Sequence, residues 1–188
     1  MSPMRICTTL WMFMGLVWLV MALGRKETQE RAGFGLRLAY GIPAILAFYL
    51  LFASDLPFEW LHARVVPPIF PITILGVALT AIGVALAVWA RLYIGGNWSG
   101  SVTVKVGHEL VRTGPYAWVR HPIYSGLLLA TLGTALVRGE PRGLLALAIL
   151  WLGFSIKSRI EEQFMVKTFG PAYDEYRRST GALIPRFH

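Results

Sequence analysis

The chain has 188 residues, of which 55% are hydrophobic and 15% are charged, and its formal net charge is +8 at pH 7. Average soluble domains are about 45–50% apolar and about 25% charged, so this composition argues against an ordinary soluble domain and excludes a disordered chain. Because Cys7 is the single cysteine, a disulfide scaffold within the chain is excluded as well.

Five apolar segments without Asp, Glu, Lys, Arg or His are candidates for membrane-spanning helices. A helix needs about 20 apolar residues, in a range of about 17–25, to cross a bilayer. The first three segments reach this length, and the shorter last two form a predicted helical hairpin with a tight turn at 138–142. The sequence therefore predicts an all-α integral membrane protein with about five transmembrane helices. The segments are residues 6–23, 38–54, 69–90, 122–137 and 143–156.

The distribution of basic residues predicts the orientation of these helices. Fourteen of the 18 lysines and arginines fall on one predicted side, in the loops 24–37 and 91–121 and in the tail 157–188. Basic residues accumulate on cytoplasmic loops, so the N-terminus is expected outside and the C-terminus in the cytoplasm. The four basic residues of the other side are Arg5, Arg64, Arg138 and Arg142.

Small residues at helical spacing predict where helices pack closely. Gly126, Ala130 and Thr134 are spaced at i, i+4 and i+8 in the fourth segment, and Gly76 and Gly83 lie seven apart in the third. Such stripes let helix backbones approach each other in lipid. We interpret them as packing surfaces without a catalytic role.

The polar residues that could perform chemistry lie in the segments 91–121 and 157–188 of a single membrane domain. We divide this domain, residues 1–188, into an N-terminal helical hairpin over 1–66 and a catalytic core over 67–188. No ionisable residue lies within the apolar segments, which argues against an ion pump or a proton-coupled transporter. A site at the membrane interface could take a water-soluble cofactor from one side and a lipophilic substrate from the other.

Two parts of these segments carry the strongest local signals. Pro122 suits the first turn of a helix, which places Arg120 and His121 at a helix N-terminus where N–H groups bind carboxylate or phosphate. Glu161 and Glu162 follow the fifth apolar segment and require a cationic partner, either Arg120 or a positively charged ligand. Each residue also has a plainer interpretation, as a membrane anchor, an interface residue or a surface ion pair.

The predicted tail is a helix that continues the fifth segment over 157–168, with Gly170 as its stop and Pro171 as the next helix start. His108 and His121 lie 13 residues apart without cysteine or carboxylate at ligand spacing, so no metal site is predicted. The glycine pattern of a Rossmann dinucleotide site is also missing from the sequence.

The two polar segments together resemble the isoprenylcysteine carboxyl methyltransferase family over residues 91–188, about half of the chain. The first signature is Arg120-His121-Pro122-x-Tyr124-x-Gly126, preceded by His108-x-Leu110-Val111 and Gly114-Pro115-Tyr116. The second signature is Glu161-Glu162, followed by Phe169-Gly170, Tyr173, Tyr176 and Pro185.

The resemblance implies a membrane methyltransferase that uses S-adenosylmethionine and releases S-adenosylhomocysteine. The cofactor is then enclosed by the cytoplasmic loop 91–121 and by the helical tail 157–188. Glu161 is expected to balance its positive charge, and Arg120 or the helix N-terminus to hold its carboxylate. The implied cofactor contacts are Ser101, His108, Glu109, Leu110, Val111, Tyr116, His121, Pro122, Ile123, Tyr124 and Glu161.

The resemblance also places a substrate-binding arginine at the position of Lys157, with Arg159 nearby. The expected acceptor is lipophilic, foremost the carboxylate of an isoprenylcysteine-like molecule, with a phospholipid amine or a thiol as alternatives. An NADPH-dependent sterol reductase-like enzyme and a non-enzymatic membrane scaffold or transporter are the further alternatives. Nucleic acid is disfavoured as a partner because the basic residues are spread over three loops. The oligomeric state is left open.

Overall fold

The computed structural model describes residues 1–22, 28–31, 33–98, 103–105 and 110–186, and most of these residues are α-helical. Two short strands, β1 (Thr28–Arg31) and β2 (Thr103–Lys105), lie in the loops between helices. Single helical turns of the 3-10 type occur at Glu59–His62, Gly95–Asn97 and Gly114–Ala117. The helices are α1 (Pro3–Met21), α2 (Phe34–Phe52), α3 (Phe70–Ile94), α4 (Pro122–Arg138), α5 (Pro141–Phe169) and α6 (Pro171–Ser179).

Prolines and glycines set the boundaries of the three C-terminal helices. α4, α5 and α6 each begin at a proline, whose missing N–H costs nothing in a first turn. Gly139 and Gly170, with φ angles of 71° and 52°, follow α4 and α5, and glycine adopts this left-handed region without strain. The predicted turn at 138–142 and the predicted stop at Gly170 are both confirmed.

The lengths and apolar composition of the helices agree with a predominantly helical membrane protein. α1, α3 and α5 are long and apolar enough to cross a membrane, whereas residues 37–52 and α4 form shorter apolar helices. From segment length, the sequence predicted a membrane-spanning helix more firmly for the second apolar segment than for the fifth. In the structure the fifth segment belongs to the longer helix. The reason is that α5 continues without a break for 29 residues into the polar tail. Five crossings and their orientation stay predictions.

The two strands are an addition to the predicted all-α fold. β1 pairs antiparallel with β2, with Thr28 opposite Lys105 and Arg31 opposite Thr103. The pairing satisfies backbone N–H and C=O groups of two loops, which would otherwise need other partners near the membrane. It also brings the loops 24–37 and 91–121 to the same end of the helix bundle, where β2 lies against α5.

Glycines bring α3 and α4 into backbone contact, as the sequence predicted. A Cβ atom added at Gly83 would lie 2.5 Å from the carbonyl oxygen of Gly126, and one at Gly76 would lie 2.7 Å from that of Gly133. No side chain fits between the helices at these positions, so the two backbones pack directly. This contact fixes the position of the first turn of α4, which carries part of the candidate site.

Buried polar contacts join α1 to this helix pair. The Trp11 indole donates to Thr134 Oγ1 at 3.0 Å, and Thr134 in turn lies 3.2 Å from Thr80 Oγ1. The thiol of Cys7 lies 3.6 Å from the same Thr80 oxygen. Because buried hydroxyls need hydrogen-bond partners, these contacts define which face of α1 turns inward.

Candidate active site

The site lies at one end of the bundle, where the first turn of α4 faces the second half of α5. The Tyr124 hydroxyl donates to Glu161 Oε1 at 2.7 Å, and His121 Nδ1 lies 3.4 Å from Glu161 Oε2. The rings of His121 and Tyr124 are stacked with their centroids 5.4 Å apart, and the Phe154 ring stacks on Tyr124 at 4.6 Å. The Glu161 carboxylate is therefore held in one orientation against an aromatic wall.

Glu162 forms a second ion pair beside the first. Arg120 Nε and Nη2 both lie 2.8 Å from Glu162 Oε1, and the side chains of Arg120 and Glu162 are only 7% and 12% exposed. His121 Nε2 lies 3.3 Å from the same oxygen, and Arg177 Nε lies 3.4 Å from Glu162 Oε2. Of the two partners considered for the acidic pair, Arg120 contacts Glu162, whereas Glu161 contacts Tyr124 and His121.

Arg120 also fastens the end of the chain over the site. Its Nη1 group donates to the carbonyl oxygens of Arg177, at 3.1 Å, and Thr180. The backbone N–H groups of Arg120 and His121 donate to the carbonyl oxygens of Gly181 and Ala182, at 2.8 and 3.1 Å. Residues 180–183 therefore cross the entrance to α4, a contact that the sequence did not reveal.

Lys157 and Arg159 occupy different environments, although only one residue separates them. Two helix positions rotate the chain by about 200°, so the two side chains point away from each other. Lys157 is buried on the face that carries Glu161, with its Nζ 5.1 Å from the centre of the Tyr40 ring and 5.2 Å from that of Tyr124. Arg159 is exposed. The structure places Lys157, and not Arg159, in the site.

Two tyrosines connect the helical turn before α4 to the rest of the core. The Tyr176 hydroxyl of α6 donates to the carbonyl oxygen of Tyr116 at 2.5 Å, and the Tyr116 hydroxyl donates to that of Ala90 at 3.4 Å. Burial raises the pKa of both tyrosines, so their hydroxyls stay protonated and can donate. These bonds attach α6 to the loop before α4.

The remaining predicted cofactor residues divide into two groups. Pro122 and Ile123 are buried at the start of α4, and Leu110 and Val111 are partly buried, with Val111 packed on the main core cluster. The predicted contacts that lie outside the described residues are Ser101, His108 and Glu109. Sequence reasoning missed four residues that the structure brings to the site. They are Tyr40, Phe154, Arg177 and Thr180.

The electrostatics of His121 follow from its two acidic neighbours. Burial lowers the pKa of the imidazole, but its hydrogen bonds to Glu161 and Glu162 and their negative charges outweigh burial. The pKa of His121 is therefore raised above its usual value of 6.5. A protonated His121 donates from both ring nitrogens, which matches its contact with a carboxylate on each side.

Comparisons of the sequence with known proteins identify a family and several relatives. The profile of the family described as phospholipid methyltransferase matches residues 71–172. The protein-S-isoprenylcysteine O-methyltransferase of Saccharomyces cerevisiae is 35% identical over 116 residues, covering 60% of this chain and 48% of the yeast protein. The cobalt-zinc-cadmium resistance protein CzcN of Cupriavidus metallidurans is 33% identical over 132 residues, covering 68% of this chain and 54% of CzcN.

A solved structure agrees with these sequence matches. The eukaryotic intramembrane Ras methyltransferase ICMT (isoprenylcysteine carboxyl methyltransferase) superimposes with a TM-score of 0.61 at 29% identity, covering 78% of this chain and 52% of that chain. The chain thus spans about half the length of these relatives.

The matched stretch begins in α3, includes both acidic residues of the site and ends in α6. It covers more than half of the chain, and the resemblance to the isoprenylcysteine carboxyl methyltransferases that the motifs indicated is confirmed. The chain belongs to the phospholipid methyltransferase family.

Proposed function

We propose that the chain is a membrane methyltransferase that moves a methyl group from S-adenosylmethionine to a lipophilic acceptor, foremost the carboxylate of an isoprenylcysteine-like molecule. The observation that carries this proposal is the position of Glu161. Tyr124 and His121 orient its carboxylate, Lys157 lies one helical turn away on the same face, and all four lie in the stretch that matches the methyltransferase family.

The described residues suit the proposed cofactor. When bound, S-adenosylmethionine supplies a methyl group on a positively charged sulfonium, which a nucleophile attacks in line. Glu161 offers a fixed negative charge for that cation, with its carboxylate oriented by Tyr124 and His121. The N–H groups in the first turn of α4, where no side chain caps the helix, suit a carboxylate. These are the roles that we assign to the predicted cofactor residues.

We assign Arg120 a positioning role. Its guanidinium is engaged by Glu162 and by the carbonyl oxygens of Arg177 and Thr180, so it holds the chain end over the site. Methyl transfer to a carboxylate or a thiolate needs no general base, because the nucleophile is already deprotonated. The protein must instead align the two reactants and exclude water, and a fastened tail serves both tasks.

The charge of the site favours an anionic acceptor. Lys157 is buried between two aromatic rings on the inner face of α5, where its positive charge would attract a carboxylate acceptor. An amine acceptor would instead place a second positively charged group beside Lys157. Lysine provides a point charge, without the two-pronged geometry of arginine, so recognition of the acceptor is expected to be less directional than with arginine. A phospholipid amine is the second candidate acceptor, and the description of the matched family favours it.

A methyl-transfer assay in proteoliposomes tests the proposal. With radiolabelled S-adenosylmethionine, we expect label in a farnesylated cysteine analogue that has a free carboxylate, and none in the corresponding amide. Label in phosphatidylethanolamine instead would replace the acceptor assignment, and absence of label from both would contradict the proposed activity.

The two basic residues on α5 provide a matched comparison within the same assay. Lys157→Gln is expected to raise the KM for the carboxylate acceptor about tenfold or more, since a hydrogen bond to a charged group contributes about 1.5–3 kcal/mol. Arg159→Gln is expected to leave the KM unchanged because Arg159 is exposed on another face of α5. The reverse pattern would assign the acceptor contact to Arg159.

A further inference from the structure

A groove lies at the end of the helix bundle opposite to the candidate active site. Its volume is about 580 Å³, and it lies between the start of α1, the residues before and at the start of α3, and the end of α4. The first turn of α4 carries the active site and its last turn lines the groove. The 17 residues of α4 therefore separate the two sites by about 25 Å.

The groove combines apolar walls with positively charged groups. Pro68, Phe70 and Val137 provide apolar lining, and the side chains of Arg64 and Arg138 line the same space. Phe70 is 77% exposed at the rim. A groove of this kind suits a molecule that has an anionic group and apolar chains.

The local charge is positive because several arginines share one carboxylate. Glu140 Oε2 lies 3.4 Å from Arg138 Nη1, and it also accepts from Arg142 Nε. Arg64 donates to the carbonyl oxygens of Arg138 and Val137, at 3.1 and 3.4 Å, and forms no ion pair within the described residues. Three guanidiniums and one carboxylate leave an excess of two positive charges beside the groove.

Donors of these guanidiniums are still available to a ligand. A guanidinium carries five N–H donors. The hydrogen bonds that the structure shows for the described residues use two donors of Arg64 and one of Arg138. Two of the Arg64 donors cap the last carbonyl groups of α4. Helix capping does not account for the other N–H donors of Arg64.

We propose that this groove binds the phosphate of an anionic phospholipid, with Arg64 and Arg138 as its partners and the apolar walls along its acyl chains. The N-termini of α1 and α3 reach the same groove and add positive potential from their helix dipoles. Phospholipid phosphates lie in the headgroup region of either leaflet, at the depth where membrane helices begin, so a basic groove between helices at that depth meets them.

Native mass spectrometry of the detergent-solubilised full chain tests the proposal. Phosphatidylglycerol and phosphatidylcholine of identical acyl chains are added in turn, and we expect the anionic lipid to be retained several-fold more. Arg64→Gln is expected to lower its retention about tenfold, the effect of losing one hydrogen bond to a charged group. Arg5→Gln is the matched control because Arg5 lies at the same end, is exposed and does not line the groove, so its retention should equal that of the wild type.

A replacement variant and a competition experiment complete the test. If Arg64→Gln fails to fold, Phe70→Glu replaces it, because this exposed rim residue adds a negative charge that should repel the headgroup. Inorganic phosphate that displaces the lipid would show that the phosphate group is the recognised part, and a lack of displacement would show that the acyl chains are needed as well. Equal retention of the two lipids, or wild-type retention in folded Arg64→Gln or Phe70→Glu protein, would overturn the proposal.

Discussion

Gly126 allows α4 to pack against α3, and its replacement by alanine tests how tightly the site is positioned. A Cβ atom at position 126 would lie 2.6 Å from the carbonyl oxygen of Gly83 and 2.7 Å from the backbone nitrogen of Ala87. An ordinary carbon–oxygen contact is about 3.3 Å, so the helices would have to separate by about 0.7 Å. The obstructing atoms belong to the backbone of α3 and have no alternative rotamer.

The expected cost follows from this geometry. Overpacking a tightly packed contact costs about 1–3 kcal/mol, and rigid backbone obstacles favour the upper part of that range. Gly41→Ala is the matched control, because no atom lies within 4 Å of a Cβ atom at that position of α2. Replacing a mid-helix glycine by alanine there should stabilise the protein by about 0.5–1 kcal/mol. Because both substitutions replace a helical glycine by alanine, this gain cancels, and the two variants are expected to differ by the overpacking cost of about 1–3 kcal/mol in the free energy of unfolding.

Equilibrium unfolding in mixed detergent micelles, followed by circular dichroism, measures this difference. Because Tyr124 lies two residues before Gly126, we also expect Gly126→Ala to weaken cofactor binding, and Gly41→Ala to leave it unchanged. If Gly126→Ala is as stable as Gly41→Ala, α3 and α4 are not in backbone contact and the described packing is incorrect.

Three further predictions concern the ion pairs and the tail. Arg120→Ala should lower the free energy of unfolding by about 3 kcal/mol, because it leaves the mostly buried Glu162 carboxylate without its main partner. In the same unfolding experiments, the double variant Arg120→Ala, Glu162→Gln should recover much of this loss. His121 has a raised pKa, so its contribution to stability is complete below pH 6.5 and is lost as the pH rises through its folded-state pKa. Thermal unfolding from pH 6 to pH 9 should show this decline in the wild type and not in His121→Gln. Tyr176→Phe should cost about 1–3 kcal/mol, because the buried Tyr116 carbonyl loses its donor; an unchanged midpoint of unfolding would show that α6 is not attached through this bond.

Periodic and local signals were sufficient to predict most of the helices. The absence of charge located the apolar segments, and Pro122, Pro141, Gly139 and Gly170 marked the ends of helices because their backbone preferences act locally. The pairing of β1 with β2 joins positions more than 70 residues apart. Nothing in four or three consecutive residues specifies such a partner, so the small sheet could not be predicted.

The candidate site was predicted where residues adjoin in sequence and missed where they do not. Arg120, His121 and Tyr124 belong to one motif, and the acidic pair stood out because acidic residues beside a membrane helix need a partner. The role of Thr180 depends on its backbone carbonyl, which every residue type possesses, so its identity gave no signal. Phe154 and Tyr40 lie inside apolar segments where nothing in the sequence distinguishes them, and their contact with the site depends on how α2 and α5 pack.

Binding of S-adenosylmethionine to the purified protein in detergent, measured by isothermal titration calorimetry, tests the central claim most directly. The wild type should bind saturably, and Glu161→Gln should bind about 10–100-fold more weakly, because the cofactor cation loses a fixed charge in a largely buried site. Glu175→Gln is the control, since the Glu175 side chain is 72% exposed on α6, and its affinity should equal that of the wild type. Absence of binding by folded wild-type protein, or equal affinity of Glu161→Gln and wild type, would contradict the assignment of this cluster as the cofactor site.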